Sequence, residues 1–329
     1  GGDGEDKAIV SGGVEGEAGV SLDMTAHSIE WIEGDDGNDS FQGGIANETL
    51  DGGDGADTLL GGDGDDLLKI DAEDLTLGAA AVHGGDGVDT AEVSGGQEGQ
   101  PGVVLNMTAH GFEYVVGSRG DDTITGGGGN ETLDGGDGND SLSAGSGDDL
   151  LIIDLDDTAI DGGDGQDTAR VEDSYSGSIR ILDLGASSIE VAIGGSGQDS
   201  FDASTAVEAV ELDGGFGDDT LIGGDYNDTL EGGYGADELS GGAGDDYFKI
   251  DSDDSVLGGD GTDTVEVTSG LSGINMNLAD ASIEVAIGGS YADYFDGSTR
   301  IEALDLGGGG GDDTLLGGTA ADTLDGGNN

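Results

Sequence analysis

Between residues 214 and 249 one large apolar side chain returns every nine positions, as Leu221, Leu230, Leu239 and Phe248. The copies read GGFGDDTLI, GGDYNDTLE, GGYGADELS and GGAGDDYFK, each with Gly-Gly first and an acid sixth, namely Asp219, Asp228, Asp237 and Asp246. One apolar residue in nine cannot feed a helix, whose buried stripe needs apolar residues every three or four positions. It suits a short strand and a turn. The x-apolar-x triplet after the Asp points one side chain inward and two outward, and Gly-Gly gives the turn the positive φ that other residues resist. Each copy is expected to form half of a coil.

The same pattern fills residues 34–69 and 117–152, and recurs in pieces at 194–202, 288–296 and 308–325. Between these blocks lie segments of alternating apolar residues that predict longer strands: Val20-Leu22-Met24, Val103-Leu105-Met107, Ile179-Ile181 and Ile274-Met276-Leu278. A second short strand is predicted in SIEWIEG from Ser28, GFEYVVG from Gly111, and SIEVAIG from Ser188 and again from Ser282. A GGDGxD sentence at Gly1, Gly84, Gly162 and Gly258 opens four larger units, residues 1–83, 84–161, 162–257 and an incomplete 258–329. The expectation is one all-β solenoid continuing through all four. Units three and four share the related inserts ASTAVEAVELD and GSTRIEALDLG. Three blocks close on acidic loops, with Asp71 and Asp74, Asp154 and Asp157, and Asp251 and Asp254. These loops lack the Gly and Glu spacing of an EF-hand, and read either as extra ion sites or as solvated acidic turns.

Composition changes the picture. The 329 residues carry 74 acidic against 7 basic side chains, a formal net charge of −67, and 73 glycines. Such a polyanion with few aromatics should be disordered, yet the strict spacing argues for a fold. Divalent cations reconcile the two, because metal-bound carboxylates no longer repel. Isolated Lys and Arg exclude a nucleic-acid or anionic-lipid partner. The absence of cysteine excludes disulfides and thiolate metal sites. No apolar run approaches the roughly 20 residues of a membrane span, and no signal segment opens the chain.

At this point the nonapeptides resemble the hemolysin-type calcium-binding repeats of secreted bacterial proteins, the RTX family, whose unit is GGxGxDx, an apolar residue and one more. The resemblance implies a right-handed parallel β-roll in which two nonapeptides make one turn and several calcium ions sit between the turns of successive coils. It also implies a chain that stays unfolded in low cytosolic calcium and folds outside the cell. The sixth-position acids are then the expected ligands: Asp6, Asp39, Glu48, Asp57, Asp66, Asp89, Asp122, Glu131, Asp140, Asp149, Asp167, Asp199, Asp219, Asp228, Asp237, Asp246, Asp263, Asp293, Asp313 and Asp322. Calcium takes six to eight oxygens from carboxylates, carbonyls and water, and Gly-rich turns offer the carbonyls. With two copies per coil, Asp39 should lie over Asp57, Asp122 over Asp140, Asp219 over Asp237 and Asp228 over Asp246.

Other chemistry is weaker. His27 and His110 occupy matching segments, but the corresponding segments of units three and four have no histidine, and His83 stands alone. No carboxylate pair stands out as a glycosidase acid and base, and no nucleophile elbow is present, so an enzyme is not expected. Thr recurs at position seven without the flat rank that ice binding needs. The expected role is a calcium-dependent structural segment of a bacterial surface fibre, adhesin stalk, matrix filament or surface layer. The alternative is the calcium-responsive secretion and folding module of an enzyme or toxin whose catalytic domain lies elsewhere; a glycan-binding face is a third class. The chain stops at GGNN, two residues into a further copy, so the expected partners besides calcium are a longer parent chain or copies of itself docked end to end.

Overall fold

The computed structural model describes residues 6–14, 16–25, 29–172, 182–268 and 272–328. The chain forms a parallel β-solenoid arranged in two compact units, Gly1–Asp167 and Thr168–Asn329. In the first, one wall is built by Lys7–Ile9, Trp31–Glu33, Thr49–Asp51, Leu67–Ile70, Thr90–Val93, Tyr114–Val116, Thr132–Asp134 and Leu150–Ile153, each pairing in parallel with the next. The alternate strands build the other wall in two runs. One is Ala18–Asp23, Asn38–Gln42, Thr58–Asp63 and Val82–Asp86; the other is Pro101–Asn106, Asp121–Thr125, Ser141–Ser146 and Ala159–Asp164.

The second unit repeats the plan. Thr168–Val171, Val191–Ile193, Glu211–Asp213, Thr229–Glu231, Tyr247–Ile250, Thr264–Val267, Val285–Ile287, Asp305–Gly307 and Thr323–Asp325 make its continuous wall. Its broken wall holds Leu182–Asp183, Ser200–Asp202, Thr220–Ile222, Glu238–Ala243 and Ser255–Asp260, then Asn275–Asn277, Tyr294–Asp296 and Thr314–Leu316. Within the nonapeptide blocks Phe41 pairs with Leu59, Leu50 with Leu68 and Leu221 with Leu239, so two nonapeptides do make one coil.

The core is a stack of position-eight side chains. Leu50, Leu59, Leu68, Leu133, Leu221, Leu230 and Phe248 are all 0% exposed, while their strand neighbours, such as Thr220 and Ile222 beside Leu221, are half-buried. This is the inward-outward alternation of a two-residue period. In the second unit Leu212, Leu230, Phe248 and Val265 lie in register, one per coil.

The spacer segments depart from the expected continuous strands. After the alternating strand the chain makes a single helical turn, at Met107–His110, Leu184–Ser187 and Leu278–Ala281, capped by the side chains of Asn106, Asp183 and Asn277. Each such side chain accepts a hydrogen bond from a first-turn N–H that has no helical partner. Met107 and Leu278, expected as the last strand residues, open these helices and remain buried. Gly111, Ser188 and Ser282 end them in the left-handed conformation. In the first spacer Val20 is exposed and Met24 is buried, so the alternation reaches the core only at its end. Ile179 and Ile181 lie outside the described residues.

Leu230→Ala removes one rung of the stack. It is expected to lower stability by about 2–5 kcal/mol, read as an earlier denaturant midpoint at fixed millimolar calcium, with Ile222→Ala on the half-buried flank losing clearly less.

Candidate metal-binding ladder

Each turn brings its sixth residue under the coil before it. Gly53 and Gly55 hold φ of +89° and +128°, a region that favours glycine, and the chain re-enters at Asp57 with its carboxylate aimed at the previous coil. Asp57 Oδ1 accepts a hydrogen bond from the Asp39 N–H at 2.7 Å, 18 residues earlier. The first Gly of each copy lines the same place. A Cβ on Gly34 would strike the Gly52 carbonyl and Asp39 Oδ2, and one on Gly52 would strike Asp57 Oδ2. At Gly34 and Gly52 carboxylate and carbonyl oxygens crowd the space a side chain would need.

The sixth-position acids fall into columns along the coils. In the continuous-wall column of the first unit, Glu48 N–H donates to Asp66, Asp66 N–H to Asp89, Glu131 N–H to Asp149 and Asp149 N–H to Asp167. The broken-wall column links Asp39 to Asp57, and Asp122 to Asp140. In the second unit Asp199, Asp219 and Asp237 form one chain, Asp228, Asp246 and Asp263 another, and Asp293 N–H donates to Asp313. Asp322 accepts from the Leu304 N–H. Asp6, at the first described coil, donates its N–H to Glu30. The four expected pairs all stack. His110 is buried with Nδ1 at 2.8 Å from the Asn106 carbonyl oxygen, and His27 lies outside the described residues.

The ladder also contains acids without the nonapeptide frame. Asp89 N–H donates to Glu113 and Asp263 N–H to Glu284. Glu30, Glu113 and Glu284 stand two residues before a buried Ile32, Val115 or Ala286, the same offset as Asp57 from Leu59; that offset was the missed signal. The acidic loops have a specific place. Asp74, Asp157 and Asp254 take the N–H groups of Asp57, Asp140 and Asp237 with one oxygen and the N–H of Asp71, Asp154 and Asp251 in their own loop with the other. Each loop thus ends a column with both oxygens satisfied. Position five carries a second ladder of opposite direction: Asn47, Asn130 and Asn227 side chains accept from the later N–H groups of Asp65, Asp148 and Asp245.

What distinguishes the ladder is the other carboxylate oxygen. Oδ2 of Asp57, Asp66, Asp89, Asp140, Asp149, Asp219, Asp237, Asp246, Asp263 and Asp313, and Oε2 of Glu131, are buried without a hydrogen-bond partner. In Asp39, Asp122, Asp228 and Asp293 the corresponding oxygen accepts from an N–H of its own turn. A buried anionic oxygen with no partner is strongly unfavourable. Burial accordingly pushes the Asp57 carboxyl up to about 8, against the relief of the Asp39 N–H, with the nearby Asp74 and Asp39 carboxylates adding to the rise. Asp219 is pushed to about 7 chiefly by burial. Among the described residues no three His, Cys, Asp or Glu side chains converge as a conventional metal cluster. Any cation here would take one or two carboxylates and the Gly carbonyls, the oxygen-only donor set of a hard ion.

Coils of two short strands with a carboxylate and glycine carbonyls at most turns define a class: a parallel β-solenoid with oxygen-lined turns. Within it, a family model for the RTX calcium-binding nonapeptide repeat (4 copies) matches residues 33–68, 111–142, 125–157, 213–248, 251–270 and 307–329, in both compact units. These segments carry RTX-type calcium-binding nonapeptide repeats. No curated protein matches the chain.

Asp237→Ala removes the partner of a buried N–H, an interaction of about 1–3 kcal/mol. Amide exchange in Thr220–Ile222 and Glu238–Ala243 should accelerate about tenfold or more at limiting calcium, and unchanged protection would contradict the pairing. The raised carboxyls also set the pH response of the metal-free chain. Their folded-state values lie above the unfolded value, so the stability they contribute is present below about pH 4 and is lost as pH rises through about 8. In chelator, β circular dichroism should therefore grow on acidification from pH 8 toward 4; a signal that falls over that range would refute the buried-carboxyl account.

Proposed function

We propose that the partnerless ladder oxygens hold calcium, one ion at each step where such an oxygen faces the glycine carbonyl of the next coil. The sixth-position acids with a free oxygen are the principal ligands, and those already bonded within their own turn, such as Asp39, Asp122 and Asp228, contribute less. Bound calcium supplies positive charge between stacked anions; the chain's own part is to place one carboxylate and one carbonyl per turn and to exclude water with the apolar stack. The observation that carries this reading is the row of buried, unpartnered carboxylate oxygens in a chain with calcium-binding repeats.

The larger role is that of a structural segment outside a bacterial cell, in a surface fibre, adhesin stalk, matrix filament or surface layer. Four repeat units, residues 1–83, 84–161, 162–257 and 258–329, form its modules. The net charge of −67 supports an environment rich in calcium, since extracellular modules bind the ion at 10⁻⁴–10⁻³ M, far above resting cytosolic levels. The ladder acids serve a repeating structural purpose, and no catalytic role is proposed. No described helix is long and apolar enough to cross a membrane.

Circular dichroism at neutral pH should show little β structure in chelator and a full β spectrum after millimolar calcium, with several ions bound per chain. A β spectrum of the same strength in chelator sinks the calcium reading. Antibody labelling of intact source cells tests the location, and labelling only after lysis would remove the extracellular role.

A further inference from the structure

One step of the ladder already contains a cation. In the second unit Glu284 follows Asp263 in the column and accepts its N–H through Oε2 at 2.9 Å. The next coil offers no acid at the corresponding place: Leu304 stands there, buried, its N–H given onward to Asp322. That coil instead sends back the side chain of Arg300, whose guanidinium forms an ion pair with Glu284 Oε1. The two side chains are only 11% and 14% exposed. Arg300 Nη1 also reaches the Leu278 carbonyl at 3.5 Å, and Nε lies 3.7 Å from Glu302. Its main chain is tied to the following coil by the Thr319 N–H. Both oxygens of Glu284 are thereby taken, unlike those of Asp57 or Glu131.

We infer that Arg300 is a built-in cation: at the step from Glu284 to Leu304 a guanidinium neutralises the ladder in place of calcium, and Glu284 is not a calcium ligand. A planar, permanently charged fork suits a fixed carboxylate at low exposure, and a buried ion pair is retained where breaking it would strand a charge. The related insert ASTAVEAVELD places Ala206 where GSTRIEALDLG has Arg300, so among the described residues the device is seen in the fourth repeat and not in the third. The consequence is a coil step whose closure does not wait for metal, next to the Asp263 step, whose Oδ2 is unpartnered.

The inference rests on the calcium reading above, and the test separates the two. Calcium bound at saturation is measured by equilibrium dialysis on the full chain and on E284Q, with D237A as the control that removes a proposed ligand. E284Q should bind as many ions as the parent while D237A binds fewer. If E284Q loses an ion, the inference is overturned; if the parent binds none, or D237A loses none, the calcium reading fails instead. A second arm does not depend on E284Q folding. R300Q strands the Glu284 carboxylate, so amides of Val285–Ile287 and Asp305–Gly307 should exchange about tenfold faster in saturating calcium, with R300K restoring part of the protection. Exchange in R300Q equal to the parent's, or no recovery in R300K, would overturn the built-in cation.

Discussion

Everything in this solenoid turns on one carboxylate reaching back to a backbone N–H one coil earlier. That hydrogen bond satisfies a main-chain donor that the short strands leave over, and it fixes register, since a slip of one residue would carry both the carboxylate and the apolar residue two positions on to the wrong side. It also leaves the second carboxylate oxygen inside, against glycine carbonyls. An all-anionic, all-acceptor lining is strongly unfavourable unless a carboxyl takes up a proton or positive charge lies close by. The bond that builds the coil therefore also leaves a buried, unpartnered carboxylate oxygen at many of its steps.

The position-five ladder complements it. Asp66 reaches back to Glu48, whereas Asn47 in the same turn accepts from Asp65 of the next coil, so adjacent coils are tied in both directions. Asn serves here as well as Asp because this ladder is exposed and asks only for an acceptor. At position six only a carboxylate appears, as Asp or Glu. The difference between neighbouring positions separates a structural acceptor from one that also carries charge.

Much of this was legible in the nine-residue period. The single apolar residue at position eight foretold the buried stack within each unit, Leu50 and Leu68 in the first and Leu230 and Phe248 in the second, and the 18-residue spacing foretold Asp39 with Asp57 and Asp219 with Asp237. Less legible were features whose signal is not periodic. The helical turns at Met107–His110 and Leu278–Ala281 sit where apolar alternation continues unbroken, and only Asn106 and Asn277 mark the change, as caps. Glu30, Glu113 and Glu284 were hidden because their turns lack Gly-Gly. The acidic loops read as extra sites or solvated turns, but Asp74 and Asp157 are terminators, a role set by hydrogen bonds across 17 residues.

Charge placement shows which cations matter. Lys7 with Glu33, Lys69 with Glu92 and Lys249 with Glu231 pair on the strands at 2.5–3.3 Å, yet these groups are roughly a third or more exposed. Exposed pairs of this kind contribute about 0–1 kcal/mol and are screened by salt, so they cannot offset a ladder of buried anions. Positive charge has effect only where water is excluded, along the turn columns, and of the paired basic side chains among the described residues only Arg300 is so placed. The chain thus spends almost none of its few cations where its anions are stacked. At most described steps the ladder therefore has no cation supplied by the chain itself.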